Sequence, residues 1–348
     1  MIIRDFKFIP YKLKLKSPFK NASFAINERE GFIIRIVDEN NFVGFGEVAP
    51  LPGFSLENIE NCDVALNKLH YSIIEKSAKK IDFDLIQELQ SISNLPSLSF
   101  GIEQAVISLL IKRGELSSLL TNSKPIEING LVGIEPKDEV LKKIDDLLIK
   151  GFKTIKIKIG GNNFEDDIEL IKTITNRIDD SIKIRLDING NWDYEKAEQA
   201  VNILDSTKIE LIEQPVNNIN ELVMLADFSP IPVAVDETIK SSADARSIIE
   251  KSNIQTIILK PSILGGIIET ITLIKSAGKL GKKIIISSAF EAVVGRSALM
   301  LLSSLVNGNH AHGLNTAAYL AEDFGTDSYP ITKGIAFFNH KEYPPKEQ

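Results

Sequence analysis

Charged side chains end five consecutive apolar runs in the second half of the chain. Two lysines end the first run, single acids end the next three, and a lysine ends the fifth: Lys156, Lys158, Asp187, Glu213, Asp236 and Lys260. Any one of them alone is typical of a solvated charge at a strand end. As a set they are chemically complete, because amines flank three carboxylates on both sides. The pattern predicts one site built from all six residues.

Three converging carboxylates repel one another unless a cation lies among them. Their oxygen atoms favour a hard divalent ion, and no Cys or His is near in sequence to favour zinc. We therefore expect Mg²⁺, with Mn²⁺ as an alternative ion, at Asp187, Glu213 and Asp236. His310 and His312 on the last apolar run could also bind a metal, but we interpret them as histidines of the protein core or rim.

The lysines indicate acid–base chemistry. A lysine next to a cation and to other lysines has its neutral form favoured, so its pKa moves towards the value that a general base needs near neutral pH. Lysines on opposite walls of a cavity could address opposite faces of one substrate carbon. A carbon acid next to a carboxylate also needs positive charge to stabilise its enediolate. The residues thus predict proton abstraction next to a carboxylate.

Eight β-like runs position these residues, and helical segments lie between most of them. The runs recur about every 25 residues, at 127–133, 154–160, 183–188, 209–214, 232–237, 256–261, 283–288 and 310–315. Side chains alternate along a strand, so Lys156 and Lys158 point the same way. This α/β pattern predicts a (β/α) barrel with its active site at the carboxyl ends of the strands. An open doubly wound sheet is the alternative, but no Gly-rich phosphate fingerprint follows the first run.

The first hundred residues differ from this repeat. Apolar and polar residues alternate at 2–15 and 31–50, as in half-buried antiparallel strands, and helical segments follow at 56–75, 83–89 and 97–113. We predict an α+β capping domain over residues 1–124, completed by the tail at 323–348, and a barrel domain over 125–322. A capping box at Ser241 and Asp244 predicts the start of one barrel helix.

The composition excludes several classes of protein. A chain of 348 residues with 43% hydrophobic residues can bury a large core. Its net charge of −7, without a long run of Lys or Arg, argues against a nucleic-acid partner. The single Cys62 cannot form an internal disulfide, the first residues carry too many charges for a secretory signal, and no apolar run is long enough for a membrane span. We expect a cytoplasmic protein of undetermined oligomeric state.

At the charged residues, the sequence resembles the muconate-lactonizing subgroup of the enolase superfamily, along essentially the whole chain. The matching motifs are Lys156-Ile157-Lys158, Asp187-Ile188-Asn189-Gly190-Asn191, Glu213-Gln214-Pro215, Asp236-Glu237 and Lys260-Pro261-Ser262. The resemblance implies a modified TIM-type barrel, (β/α)7β, in which Asp187, Glu213 and Asp236 bind Mg²⁺. It also implies that Lys158 and Lys260 are the acid–base pair and that Lys156 supports Lys158. Asn189 and Glu237 would stand behind the metal ligands.

Within the subgroup, the likeness is greatest to the o-succinylbenzoate synthases, which dehydrate a cyclohexadiene carboxylate in menaquinone biosynthesis. Residues 46–55, 260–266 and 287–291 carry this likeness. It implies a syn elimination, in which Lys158 removes the α-proton and helps the hydroxyl leave from the same face while protonated Lys260 stabilises the enediolate. Dipeptide epimerases and N-acylamino acid racemases are rival enzymes, and a catalytically silent metabolite-binding barrel is the rival of another class. Dipeptide epimerases typically carry Asp-x-Asp after the last strand, which residues 312–317 lack.

Small and apolar residues are expected around the substrate, a small-molecule carboxylate. By the resemblance, Pro52, Gly53 and Phe54, with residues 18–24, cover the barrel mouth and line the succinyl end of the substrate. Hydroxyl groups and a helix N-terminus could bind its carboxylates, and the candidates are Ser262, Ser287, Ser288, Gly265 and Gly266. Pro-Gly is also ordinary turn chemistry, and serines at strand ends are also ordinary helix caps, so these interpretations stay open.

Overall fold

An antiparallel sheet and two helices begin the chain. The protein is described by a computed structural model over residues 2–20, 25–75, 95–116, 123–339 and 342–343. Strands β1 (Ile3–Lys20), β2 (Ala25–Asp38) and β3 (Val43–Val48) pair in that order, and their apolar face packs on helices α1 (Ile59–Glu75) and α2 (Pro96–Lys112). The helix predicted at 83–89 lies outside the described residues.

Helix α2 lies between the two halves of the molecule. All its residues from Ser97 to Ile111 are buried. Leu98 and Leu109 pack in the core of the antiparallel sheet, whereas Phe100 and Ile107 belong to the core cluster of the barrel. A helix in this central position buries apolar side chains on two opposite sides, and its buried polar side chains, such as Glu103 and Gln104, have hydrogen-bond partners. The division into domains at residues 124 and 125 stays a prediction.

A parallel barrel follows. After β4 (Lys124–Glu127), seven strands lie side by side in sequence order: β5 (Gly130–Val132), β6 (Thr154–Lys158), β7 (Lys183–Asp187), β8 (Ile209–Glu213), β9 (Val233–Val235), β10 (Thr256–Leu259) and β11 (Lys283–Ile286). The helices that connect and follow them are α3 (Lys137–Ile149), α4 (Phe164–Arg177), α5 (Tyr194–Ile203), α6 (Ile219–Phe228), α7 (Ser242–Lys251), α8 (Pro261–Leu264), α9 (Ile267–Lys279) and α10 (Val293–Leu305). None of the described helices is long and apolar enough to span a bilayer.

The segment around His312 closes the barrel. His312 forms a parallel bridge with Ile128, before β5, and Gly313 forms one with Ser287, after β11. Backbone hydrogen bonds of 2.7 Å from His312 N to Glu127 O and 2.9 Å from Gly313 N to Ile286 O hold both sides. This closure confirms the (β/α)7β barrel and excludes the open doubly wound sheet. The predicted eighth strand at 310–315 is reduced to these two bridges.

The first predicted run and the C-terminal tail meet outside the barrel. The run at 127–133 divides at Ile128 and Asn129, because β4 pairs with β12 (Ile335–Phe338) in an antiparallel ladder while β5 joins the barrel. Phe338 packs in the barrel core cluster, and Phe324 packs edge-on against Tyr11 of β1. The described part of the tail therefore contacts both halves, and its assignment to the capping domain stays a prediction.

Strand alternation builds the floor of the site. A small apolar cluster fills the inside of the barrel, and its members are Leu211, Ala234, Ile258 and Ile285. Side chains two positions further along a strand face the same side. In these four strands those positions are Glu213, Asp236, Lys260 and Ser287. The apolar layer therefore lies directly below the candidate functional residues.

Candidate active site

A cavity opens at the carboxyl ends of the barrel strands. Predicted site residues from β6 to β10 line it: Lys156, Lys158, Asp187, Asp236, Glu237 and Lys260. The space is about 540 Å³ including its mouth to solvent. Glu213 lies behind the lining. It is buried, and its Oε1 is 2.5 Å from the Nζ of Lys156.

Each lysine contacts the carboxylates. Lys156 Nζ lies 2.8 Å from Asp187 Oδ2 and also contacts Glu213. Lys158 Nζ donates to the same Asp187 oxygen over 2.8 Å. On the other side of the cavity, Lys260 donates to both carboxylate oxygens of Asp236. The structure thus brings together all six residues that the charge pattern singles out.

Asn189 connects Lys158 with a further acid. Its Oδ1 accepts from Lys158 over 2.9 Å, and its Nδ2 donates to Glu237 Oε1 over 2.6 Å. The backbone φ angles of Asn189 and Gln214 are +51° and +44°, in the left-handed region. Such strain concentrates at functional sites. Here the strained residues lie just after the strands that end with Asp187 and Glu213.

The carboxyl groups outnumber the lysines. Asp187, Glu213, Asp236 and Glu237 face three lysines, so with every group ionised four negative charges against three positive ones would leave one negative charge in excess. Burial, with Asp187 and Asp236 close by, raises the pKa of Glu213 to about 8. Burial, with Asp236 next to it, raises the pKa of Glu237 to about 7. The site therefore lacks positive charge when only the protein's own groups are counted.

Without a cation, the carboxylates raise the pKa values of two of the lysines. Burial lowers the pKa of Lys156, but Asp187, Glu213 and Asp236 outweigh burial and hold this pKa above its usual value. The pKa of Lys260 is also raised, because Asp236 and Glu237 outweigh burial. The predicted lowering of a lysine pKa applies to a site that holds a cation, so it stays a prediction. It would require a further positive charge against the same carboxylates.

The donor set fits a hard cation by its chemistry. Asp187, Glu213 and Asp236 offer buried oxygen atoms at the ends of three neighbouring strands, and with every group ionised the site would have a negative charge in excess. Among the described residues, no group of three His, Cys, Asp or Glu has the spacing of metal ligands. The ammonium groups of Lys156 and Lys260 lie directly against the carboxylates.

The other walls of the cavity are uncharged. Polar groups before β5, after β11 and in the closing segment form one wall: Asn129, Ser287, Ser288, Gly313, Asn315 and Thr316. Apolar side chains form the other: Phe19, Leu51, Phe54, Leu131 and Phe290. The ring of Phe54 lies over the ammonium group of Lys260, with Lys260 Nζ 4.6 Å from the ring centre. Of the predicted segment 18–24, Phe19 lines the cavity and residues 21–24 lie outside the described chain.

Several predicted substrate contacts are made to the protein instead. Ser262 Oγ donates to Glu291 Oε1 over 2.7 Å, and Ser288 Oγ donates to Glu291 Oε2 over 2.5 Å. Ser288 Oγ also accepts from Thr316 Oγ1 over 2.7 Å. These hydroxyl hydrogens are therefore not available to a substrate. Ser262, Gly265, Pro52 and Gly53 do not line the cavity formed by the described residues.

The helix N-terminus after Gly266 already has an anion. Glu103, on α2, accepts from the amides of Ile267 and Ile268 over 2.6 and 2.9 Å. The predicted role of Gly265 and Gly266 in binding a substrate carboxylate is therefore wrong. The partner of these amides is a buried acid of the other half of the molecule.

The two histidines serve the closing segment. His312 Nδ1 accepts from the amide of Ile286 over 3.0 Å, and His310 Nε2 lies 2.6 Å from Ile284 O. Neither lines the cavity formed by the described residues. This confirms their interpretation as histidines of the barrel core and rim.

Sequence reasoning missed most of the uncharged walls. The sequence does mark Asn129 as a candidate, because it is a polar residue inside the first β-like run. Phe290 and Glu291 stand in segment 287–291, which the resemblance includes, close to the predicted substrate-binding residues Ser287 and Ser288. Leu51 likewise stands in segment 46–55, which the resemblance includes. Leu131 has no signal, since an apolar residue in a strand looks the same whether it packs in a core or lines a cavity.

Family comparisons agree with this architecture. Residues 139–340, more than half of the chain, match the family described as enolase C-terminal domain-like, and residues 3–109 match the MenC N-terminal domain. The chain is 28% identical to an o-succinylbenzoate synthase of Aliivibrio fischeri, covering 89% of each protein. It is also 28% identical to an L-Ala-D/L-Glu epimerase of Clostridium acetobutylicum, covering 87% of each. It spans 21% of the length of another match, the chloroplastic protein PHYLLO of Arabidopsis thaliana, at 26% identity.

Solved structures share the fold. An L-Ala-D/L-Glu epimerase of Bacillus subtilis superposes with a TM-score of 0.88 at 22% identity, covering 97% of this chain and 96% of that one. A dipeptide epimerase of Enterococcus faecalis, solved with Mg and a dipeptide, superposes with a TM-score of 0.86 at 23% identity, covering 97% and 100%. Together with the family match, these likenesses show that the chain belongs to the enolase C-terminal domain-like family and is an enzyme of the enolase superfamily.

Proposed function

We propose that the protein is an o-succinylbenzoate synthase. The reaction is the Mg²⁺-dependent syn dehydration of 2-succinyl-6-hydroxy-2,4-cyclohexadiene-1-carboxylate to 2-succinylbenzoate, in menaquinone biosynthesis. The observation that carries the proposal is a pair of lysines, Lys158 and Lys260, that reach one cavity from strands four positions apart in the barrel. The match of residues 3–109 to the MenC N-terminal domain supports the choice of substrate. The cytoplasmic location also stays a proposal.

Opposite walls give the two lysines different tasks. Lys158 lies on β6, and Lys260 directly follows β10, so a planar substrate between them presents one face to each. Lys158, as a neutral amine, takes the α-proton and then gives a proton to the departing hydroxyl on the same face, so that water leaves. Lys260 stays protonated and stabilises the negative charge that develops on the substrate carboxylate.

Asp187, Glu213 and Asp236 are the proposed ligands of Mg²⁺. When bound, Mg²⁺ would supply positive charge to the substrate carboxylate as electron density moves onto its oxygen atoms. The acids that now pair with Lys156 and Lys260 would then be shared with the ion. The side-chain amide of Asn189 accepts a hydrogen bond from Lys158 and donates one to Glu237. Because Glu237 holds the amide in place, Asn189 fixes the direction in which the Lys158 amine points.

The uncharged wall favours the synthase over a dipeptide epimerase. The ammonium group of a dipeptide needs an acid, and among the described residues that line the cavity the acids come only from β7 and the segment after β9. Asn315 and Ser287 present an amide and a hydroxyl at the other wall, and both suit a carboxylate or carbonyl oxygen. An N-acylamino acid racemase would use the same lysines without an ammonium group, so it is the second candidate.

One assay decides between these activities. Purified protein is incubated with the cyclohexadiene substrate and Mg²⁺, and the change from diene to arene is followed by ultraviolet absorbance. Parallel reactions follow the racemisation of an N-succinylamino acid and the epimerisation of L-Ala-D-Glu. Aromatisation that stops on chelation and returns with Mg²⁺ supports the proposal. Racemisation without aromatisation would transfer the assignment to the second candidate.

Lys158→Ala should abolish turnover, because it removes the group that handles the proton. Lys153→Ala is the matched control, since Lys153 is an exposed lysine just before the same strand. We expect the Lys158 variant to lose at least about a thousandfold in kcat, while the control stays within about twofold of the wild type. Circular dichroism verifies the fold of both. A nearly normal rate for Lys158→Ala would remove its proposed role.

Asn315→Asp tests the choice of substrate. A carboxylate in the uncharged wall should repel the succinyl carboxylate and attract an ammonium group. We expect kcat/KM for the cyclohexadiene to fall by about tenfold or more, and any dipeptide epimerisation to rise. Asn315→Ser keeps the wall neutral and serves as the control. Equal losses in the two variants would show that Asn315 does not face the distal end of the substrate.

A further inference from the structure

Three buried glutamates of the N-terminal half cap the starts of helices. Glu57 accepts from the amide of Ser97, in the first turn of α2, over 2.7 Å, so it caps a helix of its own half. Glu103 and Glu47 instead reach across to the barrel. They accept from amides at the starts of α9 and α10. Glu57, Glu103 and Glu47 are all buried, at 6%, 0% and 1% exposure.

Glu47 joins the capping sheet to the start of α10. Its Oε1 accepts from Ala292 N over 2.8 Å and from Tyr11 Oη over 2.6 Å, and its Oε2 accepts from Gly295 N over 2.7 Å. A Cβ on Gly295 would lie 2.8 Å from Glu291 Cβ and 2.9 Å from Glu47 Oε2, so the absence of a side chain lets both glutamates approach. Negative charge is stabilising at a helix N-terminus, and here it comes from the opposite half of the molecule.

The position of Glu47 in the chain connects it to the cavity. Glu47 is the last residue but one of β3. The loop that follows this strand places Leu51 in the cavity wall and Phe54 over Lys260. Its partners in the barrel, Ala292 and Gly295, lie two and five residues after Phe290, which lines the same cavity. The contact therefore joins two of the backbone segments that supply the apolar wall, the loop with Leu51 and Phe54 and the segment with Phe290.

Glu103 acts on the segment behind Lys260. Lys260 begins the short helix α8, which ends at Gly265 and Gly266 before α9 starts. Glu103 holds the first two amides of α9. A Cβ on Gly266 would lie 2.5 Å from Glu103 Oε2, so this approach is also close. The carboxylate thus fixes the far end of the turn that carries Lys260.

We propose that Glu47 and Glu103 are positioning residues of the active site, which hold the capping half on the barrel so that Phe54 and the apolar wall face Lys260. The inference rests on the proposed function for its kinetic readout only. Gln104 adds a neutral link beside them, since its Oε1 accepts from Glu47 N over 3.1 Å and its Nε2 donates to Ser297 Oγ over 3.2 Å.

The test compares three isosteric variants, Glu47→Gln, Glu103→Gln and Glu57→Gln. Each removes one buried capping charge, but only the last acts within one half. Glu47→Gln should raise KM for the cyclohexadiene by about tenfold with kcat nearly unchanged, because the wall loosens. Glu103→Gln should lower kcat by about tenfold, because Lys260 shifts. Glu57→Gln should lower the melting temperature without changing either constant.

Hydrogen exchange gives a readout that does not depend on turnover. In Glu47→Gln, peptides covering 49–56 and 289–296 should exchange at least about tenfold faster, whereas in Glu57→Gln they should match the wild type. Glu47→Asp withdraws the carboxylate from the amides of Ala292 and Gly295 and should reproduce the Glu47 result if Glu47→Gln does not fold. If the wild type lacks synthase activity, the proposed function fails while exchange still decides the inference. Unchanged exchange in these peptides would overturn it.

Discussion

Lys156 contacts two carboxylates of the site at once. Its ammonium group lies against Asp187 and Glu213, and all three side chains are nearly excluded from solvent. Removing one partner of a buried ion pair leaves an uncompensated charge, which costs far more than losing an exposed pair. The residue therefore contributes to stability as well as to the proposed chemistry.

Lys156→Met should lower the free energy of unfolding by about 3 kcal/mol, near the lower end for a broken buried pair because Lys158 still contacts Asp187. Lys137→Met is the control, because Lys137 pairs with Glu169 where both are exposed, and its loss should be under about 1 kcal/mol. Urea unfolding measures both. If Mg²⁺ is bound by the same acids, it should restore part of the loss in Lys156→Met. Equal losses in the two variants would contradict the argument.

At the scale of the helices, four barrel helices begin with a side-chain cap supplied by a residue next to the helix in sequence. Ser241 accepts from Asp244 N over 3.2 Å and donates to Asp244 Oδ2 over 2.8 Å, which confirms the predicted start of α7. Asn163, Asp193 and Asn218 cap the starts of α4, α5 and α6 in the same way. Helices α9 and α10 have no side-chain cap of their own N-cap residue, and acids distant in sequence replace it.

Ser241→Ala should cost about 1 kcal/mol of stability, because one amide at the start of α7 loses its acceptor. Ser206, an exposed serine in a turn, provides the control, and Ser206→Ala should change stability by less than about 0.5 kcal/mol. Chemical denaturation of both variants gives the comparison. A Ser241 variant as stable as the control would mean that solvent replaces the cap without loss.

Two histidines, the buried His312 and the half-buried His310, contact β11 where the whole barrel closes. Burial lowers the pKa of His312, and the nearby His310, Arg185, Lys124 and Lys283 lower it further. Burial also lowers the pKa of His310, with Lys283 and Arg185 acting in the same sense against Glu210. The folded protein therefore keeps both rings neutral at pH values where the unfolded chain binds protons.

This sign predicts how stability changes with pH. Below the unfolded pKa of about 6.5 the unfolded state binds more protons, so the free energy of unfolding falls as the pH drops, by up to about 1.4 kcal/mol per pH unit for each histidine. His312→Asn keeps an oxygen acceptor for Ile286 N but removes the titration. Its stability should fall less steeply between pH 7 and pH 5 in guanidinium unfolding. An identical slope would exclude His312 as a source of the dependence.

Much of the site could be predicted from the sequence because its residues follow a local rule. A parallel barrel brings all strand ends to one face, and alternation sends every second side chain inward, so acids and lysines at strand ends must converge. Asp187, Asp236, Lys158 and Lys260 are found in this way. Their mutual pairing is not, because the sequence alone does not say whether an ammonium group or a metal ion lies against each carboxylate.

By itself, then, the sequence determined the strand order, the capping box at Ser241 and the charged half of the cavity, since each depends on neighbours a few residues apart. The tertiary structure alone decided the uncharged walls and the partners of Ser262, Ser288 and the start of α9. Glu103 and Ile267 are 164 residues apart in the chain. No local pattern marks a buried acid as the cap of a distant helix, because the energy of that contact exists only when the two halves are packed together.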